Sequence, residues 1–147
     1  MDRRAFIKGA VLTTAMLASS RVQAKTGSEP GALLKLENPE NPSKLEQKHV
    51  PAIEAPSQVK KGEWFDVRVK VGFMMEHPST PDHWINAVRL LANKIEVDAQ
   101  NHLVGGTSTP DGSFRIRLDS TTRLEAVISC NLHGTWIGAP VIVTVQA

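Results

Sequence analysis

The sequence predicts an all-β fold, an antiparallel β-sandwich, and three observations carry that expectation. From Trp64 to Met74, the apolar residues Phe65, Val67, Val69, Val71 and Phe73 alternate with Asp66, Arg68 and Lys70. That is the period of a strand with one buried face. Phe114-Arg115-Ile116-Arg117-Leu118 repeats the alternation. Turn signals separate the apolar runs: Lys60-Lys61-Gly62-Glu63, Gly105-Gly106 and Asp111-Gly112. Several short strands between such turns suit two antiparallel sheets packed face to face.

Taken in order, the chain begins with a segment that does not belong to the fold. Met1-Asp2-Arg3-Arg4-Ala5-Phe6-Ile7-Lys8 has the adjacent arginines, phenylalanine and lysine of a twin-arginine export signal. An apolar stretch from Gly9 to Ala18 follows, too short for a permanent membrane helix. Val22-Gln23-Ala24 offers small residues for cleavage. Residues 1–24 are therefore expected to direct the protein through the twin-arginine machinery to the periplasm, with an ordinary secretory signal as the plainer alternative. That route carries folded proteins, so a cofactor can be inserted before export. Residues 25–44, rich in Pro, Gly, Asn and Glu, read as an extended lead-in in which Leu33, Leu34 and Leu36 offer anchors.

The compact domain is expected over residues 45–147. His49-Val50-Pro51-Ala52-Ile53-Glu54 reads as a short strand, with Pro51 at a sheet edge or bend. Trp84 to Val97 has the length of a helix, but Ile85, Ala87 and Val88-Arg89-Leu90 fit a strand equally well. Leu124 to Cys130 and Pro140 to Val145 complete the strand set. The sequence contains no internal repeat and no second domain.

Composition narrows the function. The 147 residues are 41% hydrophobic and 22% charged, an ordinary globular balance. Arg3, Arg4, Lys8 and Arg21 against Asp2 give residues 1–24 a charge of +3; the chain as a whole is +2, so residues 25–147 sum to −1. The basic character thus sits in the leader, and nucleic-acid binding has no support. A single cysteine excludes a disulfide framework and any site built on four thiolates within this sequence.

That cysteine, Cys130, closes the apolar run Ala126-Val127-Ile128, and His133 follows three residues later. A thiolate and an imidazole so placed can share a zinc, copper or iron ion. His77 and His83 bracket Pro78-Ser79-Thr80-Pro81-Asp82, a loop stiffened by two prolines. His49 stands beside Lys48 at the start of its expected strand. A lone histidine is most often an ordinary surface or hydrogen-bonded side chain. That reading weakens for four histidines and a cysteine that all adjoin strand ends or prolines. His102, in the polar segment Asp98-Ala99-Gln100-Asn101-His102, reads as an exposed loop residue.

Lys48-His49-Val50-Pro51, Glu76-His77-Pro78 with His83, and Cys130-Asn131-Leu132-His133-Gly134-Thr135-Trp136 together resemble the superoxide reductase family of neelaredoxin and the desulfoferrodoxin iron domain. The resemblance spans roughly residues 45–147. It implies an immunoglobulin-like β-sandwich holding one mononuclear non-haem iron in square-pyramidal geometry. His49, His77, His83 and His133 would be the planar ligands and Cys130 the axial thiolate. Lys48 would be the catalytic residue that attracts superoxide and aids its protonation to hydrogen peroxide. The electron would come from an external donor protein, and assembly into a homo-oligomer is left open. The sequence departs from the family pattern in two places: where a glutamate ligand commonly precedes the lysine it has Gln47, with Glu46 one step earlier, and it shows no four-cysteine rubredoxin-like module ahead of the domain. The rival readings are a cupredoxin-like copper electron carrier and a non-catalytic thiol carrier based on Cys130.

Overall fold

The computed structural model describes residues 31–147. The twin-arginine motif, the apolar stretch and the proposed cleavage residues lie outside the described residues. Among the described residues, nine strands and one short helix follow in order: α1 (Lys44–His49), β1 (Pro51–Glu54), β2 (Gln58–Lys60), β3 (Phe65–Val71), β4 (Ile85–Ala92), β5 (Ile95–Asn101), β6 (Gly112–Ile116), β7 (Thr122–Cys130), β8 (Gly134–Ile137) and β9 (Val141–Gln146).

The strands form two sheets. One has three strands in the order β1-β3-β6; the other runs β2-β9-β7-β4-β5, with β8 also paired to β7. All pairings are antiparallel except β2 with β9, which is parallel. Alternation accounts for the smaller sheet: in β3, Phe65, Val67, Val69 and Val71 are buried while Asp66 and Arg68 are exposed. The larger sheet answers with Val88 and Leu90 of β4 and Leu124, Ala126 and Ile128 of β7, and these inward faces merge into one apolar core. Burial of such side chains at ~25 cal/mol per Å² is the main force holding the two sheets together.

The stretch of uncertain type, Trp84 to Val97, is a β-hairpin. Asn93 and Lys94 both take positive φ, at 49° and 70°, so β4 and β5 are joined by a two-residue turn of the kind that matches strand twist. The alternation expected through Phe73 stops at Val71, because Gly72 turns the chain at φ 72° and leaves Phe73 exposed.

His49 does not begin a strand. It ends helix α1, whose start is fixed by a capping box: the Glu46 N–H donates to Ser43 Oγ, and the Ser43 N–H donates to Glu46 Oε2. The helix stops because Val50, preceding Pro51, is pushed into extended backbone. Upstream, Leu34 lies alongside β8 in a parallel bridge to Trp136. Its N–H donates to the Thr135 carbonyl, and its own carbonyl accepts from the Ile137 N–H.

Candidate metal centre

The end of the sandwich where β7 terminates receives three chain segments. Helix α1 delivers His49, the loop between β3 and β4 delivers His77 and His83, and the end of β7 with its following turn delivers Cys130 and His133. Gly72 shapes the second of these segments. A Cβ there would lie 2.5 Å from the Met75 carbonyl oxygen and 2.6 Å from the His77 amide nitrogen, so the turn before His77 closes only around glycine.

The four imidazoles form a ring. Centroids of neighbours are 4.7 Å apart for His49–His77, 4.7 Å for His77–His83, 4.8 Å for His83–His133 and 4.9 Å for His133–His49. Each neighbouring pair meets edge to face, at 70° to 86°, while His49 and His83 face each other across the ring at 6.2 Å. Candidate ligand atoms of His49, His77, His83 and Cys130 all lie within 4.8 Å of one another. His133 joins them through Nδ1, 3.1 Å from His83 Nε2 and 3.6 Å from Cys130 Sγ.

Hydrogen bonding fixes where the lone pairs of the ring point. His49 Nδ1 donates to the Leu45 carbonyl at 2.7 Å, and His77 Nδ1 donates to the Pro78 carbonyl at 2.7 Å. A carbonyl can only accept, so both neutral rings carry their proton on Nδ1 and a lone pair on Nε2. Those two Nε2 atoms face each other at 3.2 Å. Two facing lone pairs at that separation repel unless a cation lies between them. A proton is disfavoured: burial, followed by the neighbouring imidazoles, holds His77 down at about 4, and burial likewise lowers His49. A metal ion satisfies both nitrogens, and the carbonyls that orient the two rings are the outer partners metal-bound imidazoles usually have.

Four imidazoles and one thiol fit iron. Imidazole suits zinc, copper, iron and nickel, and thiolate adds preference for a softer ion than magnesium or calcium. Five donors exceed the four-coordinate set of a structural zinc site. Convergence of all four histidines also disfavours the copper-carrier reading, which uses two histidines and one cysteine. Cys130 is 5% exposed and enclosed by core residues, a placement that denies it the reach of a carrier thiol.

Lys48 is half-buried beside His49. After burial and the neighbouring imidazoles, its charge adds to the forces that lower the protonation of His49 and His83, so its field reaches the ring. Gln47 and Glu46 point elsewhere. Gln47 Nε2 donates to the Pro42 carbonyl at 2.8 Å, while the Glu46 carboxylate accepts from the Glu37 and Ser43 amides at 2.8 and 2.7 Å. In this arrangement both side chains are bonded away from the imidazole ring.

His102 differs from its expected place. It is 5% exposed, its Nδ1 donates to the Ile85 carbonyl at 2.9 Å, and its own carbonyl accepts the Trp84 indole N–H. It follows the last residue of β5 and is a buried, hydrogen-bonded histidine rather than an exposed one. Trp136 is a contributor that sequence reasoning assigned no role. It is buried, stacks on His49 at 5.2 Å and 24°, and donates its indole N–H to the His133 carbonyl. Its signal was its position three residues after His133.

Comparison with known proteins agrees with this centre. The family profile described as Desulfoferrodoxin matches residues 41–139. The superoxide reductase of Thermococcus kodakarensis is 35% identical over 101 residues, covering 61% of this chain and 83% of that protein. That of Pyrococcus furiosus is 30% identical over 107 residues, covering 61% and 84%. Among solved structures, the superoxide reductase (neelaredoxin) of Ignicoccus hospitalis superposes with a TM-score of 0.66 at 29% identity, over 78% of this chain and 95% of that one.

Proposed function

The chain belongs to the desulfoferrodoxin family and is an iron-dependent superoxide reductase, and we propose that His49, His77, His83, His133 and Cys130 hold its iron while Lys48 brings in the substrate. The observation that carries the ligand assignment is the pair of facing, carbonyl-oriented Nε2 atoms of His49 and His77. When bound, iron supplies the one electron that converts superoxide to the peroxide level. Completing hydrogen peroxide requires that electron and two protons per superoxide.

The protein's own residues prepare this reaction. The Leu45 and Pro78 carbonyls keep the His49 and His77 lone pairs turned into the ring. Burial keeps these imidazoles unprotonated and ready to bind metal. Lys48 Nζ places a cation beside the ring, raising the local concentration of an anionic substrate and holding a proton close to where one is consumed. The electron for each turnover is assigned in this reading to an external donor protein.

Purified protein should contain ~1 iron per chain, as a single five-donor site implies. The oxidised form should show a thiolate-to-iron charge-transfer band that Cys130→Ser removes. Stoichiometric zinc or copper with no iron after anaerobic reconstitution would overturn the assignment. The leader supports a further proposal: residues 1–24 direct export through the twin-arginine route, delivering the domain of residues 45–147, behind its lead-in of residues 25–44, to the periplasm. Replacing Arg3 and Arg4 by lysines should leave the precursor in the cytoplasm; unchanged export would assign the general secretory route instead.

A further inference from the structure

His83 and His133 come from loops 50 residues apart, yet their nitrogens stand 3.1 Å from each other. Sheet register alone does not bring them together. The ladder between β4 and β7 ends at Ile85 opposite Cys130, and it is irregular between Ile85 and Ala87. His83 lies beyond that last rung, in a loop closed on itself by Thr80, whose Oγ1 and carbonyl both accept from the His83 N–H. The loop is thereby stiff, but a stiff loop still needs an anchor.

Asn131 supplies three bonds at this place. Its side-chain Oδ1 accepts from the Trp84 N–H at 2.8 Å, and its Nδ2 donates to the Asp82 carbonyl at 2.8 Å. Its backbone N–H donates to the Trp84 carbonyl at 3.2 Å. One carboxamide therefore grips the chain on both sides of His83. Asn131 itself sits between Cys130 and His133, so the same residue links the segment carrying two candidate ligands to the segment carrying a third. Bonding an amide donor and a carbonyl acceptor at once requires a side chain with both an acceptor and a donor, in a fixed fork, at this length. Aspartate offers only acceptors, and alanine offers neither.

We infer that Asn131 is a positioning residue of the iron centre. It sets where His83 stands relative to His133 and Cys130, and its side chain touches neither metal nor substrate. This inference rests on the iron-centre reading above. Partners that orient metal ligands typically change metal affinity ~10–100-fold when removed.

The test uses ferrous iron and three forms of the protein: parent, Asn131→Ala and Asn131→Asp. Iron release to a ferrous chelator should be at least ~10-fold faster in both variants than in the parent. The thiolate charge-transfer band of the oxidised form should shift or broaden, a change that loss of fold stability alone does not produce. In metal-free protein, the Trp84 amide should exchange with solvent ~10-fold faster in Asn131→Ala, as expected for a lost bond of ordinary strength. In Asn131→Asp the acceptor for Trp84 is kept and only the donor to Asp82 is lost, so Trp84 exchange should stay near the parent rate while iron release still accelerates. If Asn131→Ala does not fold, Asn131→Asp alone decides. Parent release rates and a parent spectrum in whichever variants fold would overturn the inference. A parent that binds no iron would instead overturn the iron-centre reading, and Trp84 exchange would still report whether the clamp exists.

Discussion

Lys48 and His49 are neighbours on α1 with opposite electrical roles. Burial disfavours the charged form of His49, which suits it to the ligand role proposed above, while Lys48 carries a charge whose field reaches His49 and His83. No ion pair among the described residues engages Lys48, so its charge is not cancelled by a carboxylate partner there. Lys48→Ala should leave iron bound, since the ligand set is untouched. The second-order rate with superoxide should fall several-fold and lose much of its ionic-strength dependence, because attraction of an anion to a cation in contact with solvent is screened over about 10 Å in 0.1 M salt. Gln47→Ala is the control. Gln47 is neutral and its amide is bonded to Pro42, so the rate should change little. Pulse radiolysis of both variants at two salt concentrations makes the measurement. A Lys48→Ala rate with the parent value and parent salt dependence would remove the steering role.

At the scale of elements, what the sequence displayed depended on how each strand meets water. β3 was legible because one face is buried and the other solvated, which writes a period of two into the chain. β4 was ambiguous because six of its eight residues are apolar and adjacent ones, such as Ala87 and Val88, are both buried, so no clean alternation remains. β5 was hidden for the opposite reason. It is the terminal strand of its sheet, nearly every residue is exposed, and its polar composition resembles a loop; the expectation that His102 is exposed followed from that. Helix α1 is six residues long, too short to show a helical period, although Ser43 and Glu46 stand at capping-box spacing. The donor types of the centre were legible even so. His and Cys can bind metal whichever element carries them, and His49 reaches the ring from a helix as it would from a strand. What the sequence did not display were the hydrogen bonds that orient the ring, because they run largely to backbone carbonyls, which every residue has.

For the molecule as a whole, gathering four imidazoles in one end of the sandwich ties stability to pH. In the metal-free protein, burial lowers the protonation of His49, His77 and His83, His77 to about 4, from an ordinary value of 6.5. The unfolded chain therefore binds more protons than the folded one between those limits. The associated stability is fully present above pH 6.5 and is lost as pH falls from there toward 4, by about 1.4 kcal/mol per pH unit for each extra proton the unfolded chain takes up. His77 alone accounts for roughly 3 kcal/mol over the window. Glu46 acts in a different range: bonds from the Glu37 amide and from Ser43 hold its carboxyl below 4.5, so what it contributes is present above that value and fades only at lower pH. Iron held as proposed would occupy the same lone pairs that protons would take, so the loaded protein should keep its stability to lower pH until protons displace the metal. Thermal unfolding midpoints of metal-free and iron-loaded protein, measured from pH 7.5 to 4, should diverge below pH 6.5, the metal-free curve falling first. His77→Gln, which removes the strongest of the lowered groups, should flatten the metal-free curve between pH 6.5 and 4.5. A metal-free midpoint that stays constant from pH 7 to 5 would mean that the imidazole ring opens to solvent without the ion, and that the packing around His49 and His77 depends on the metal it serves.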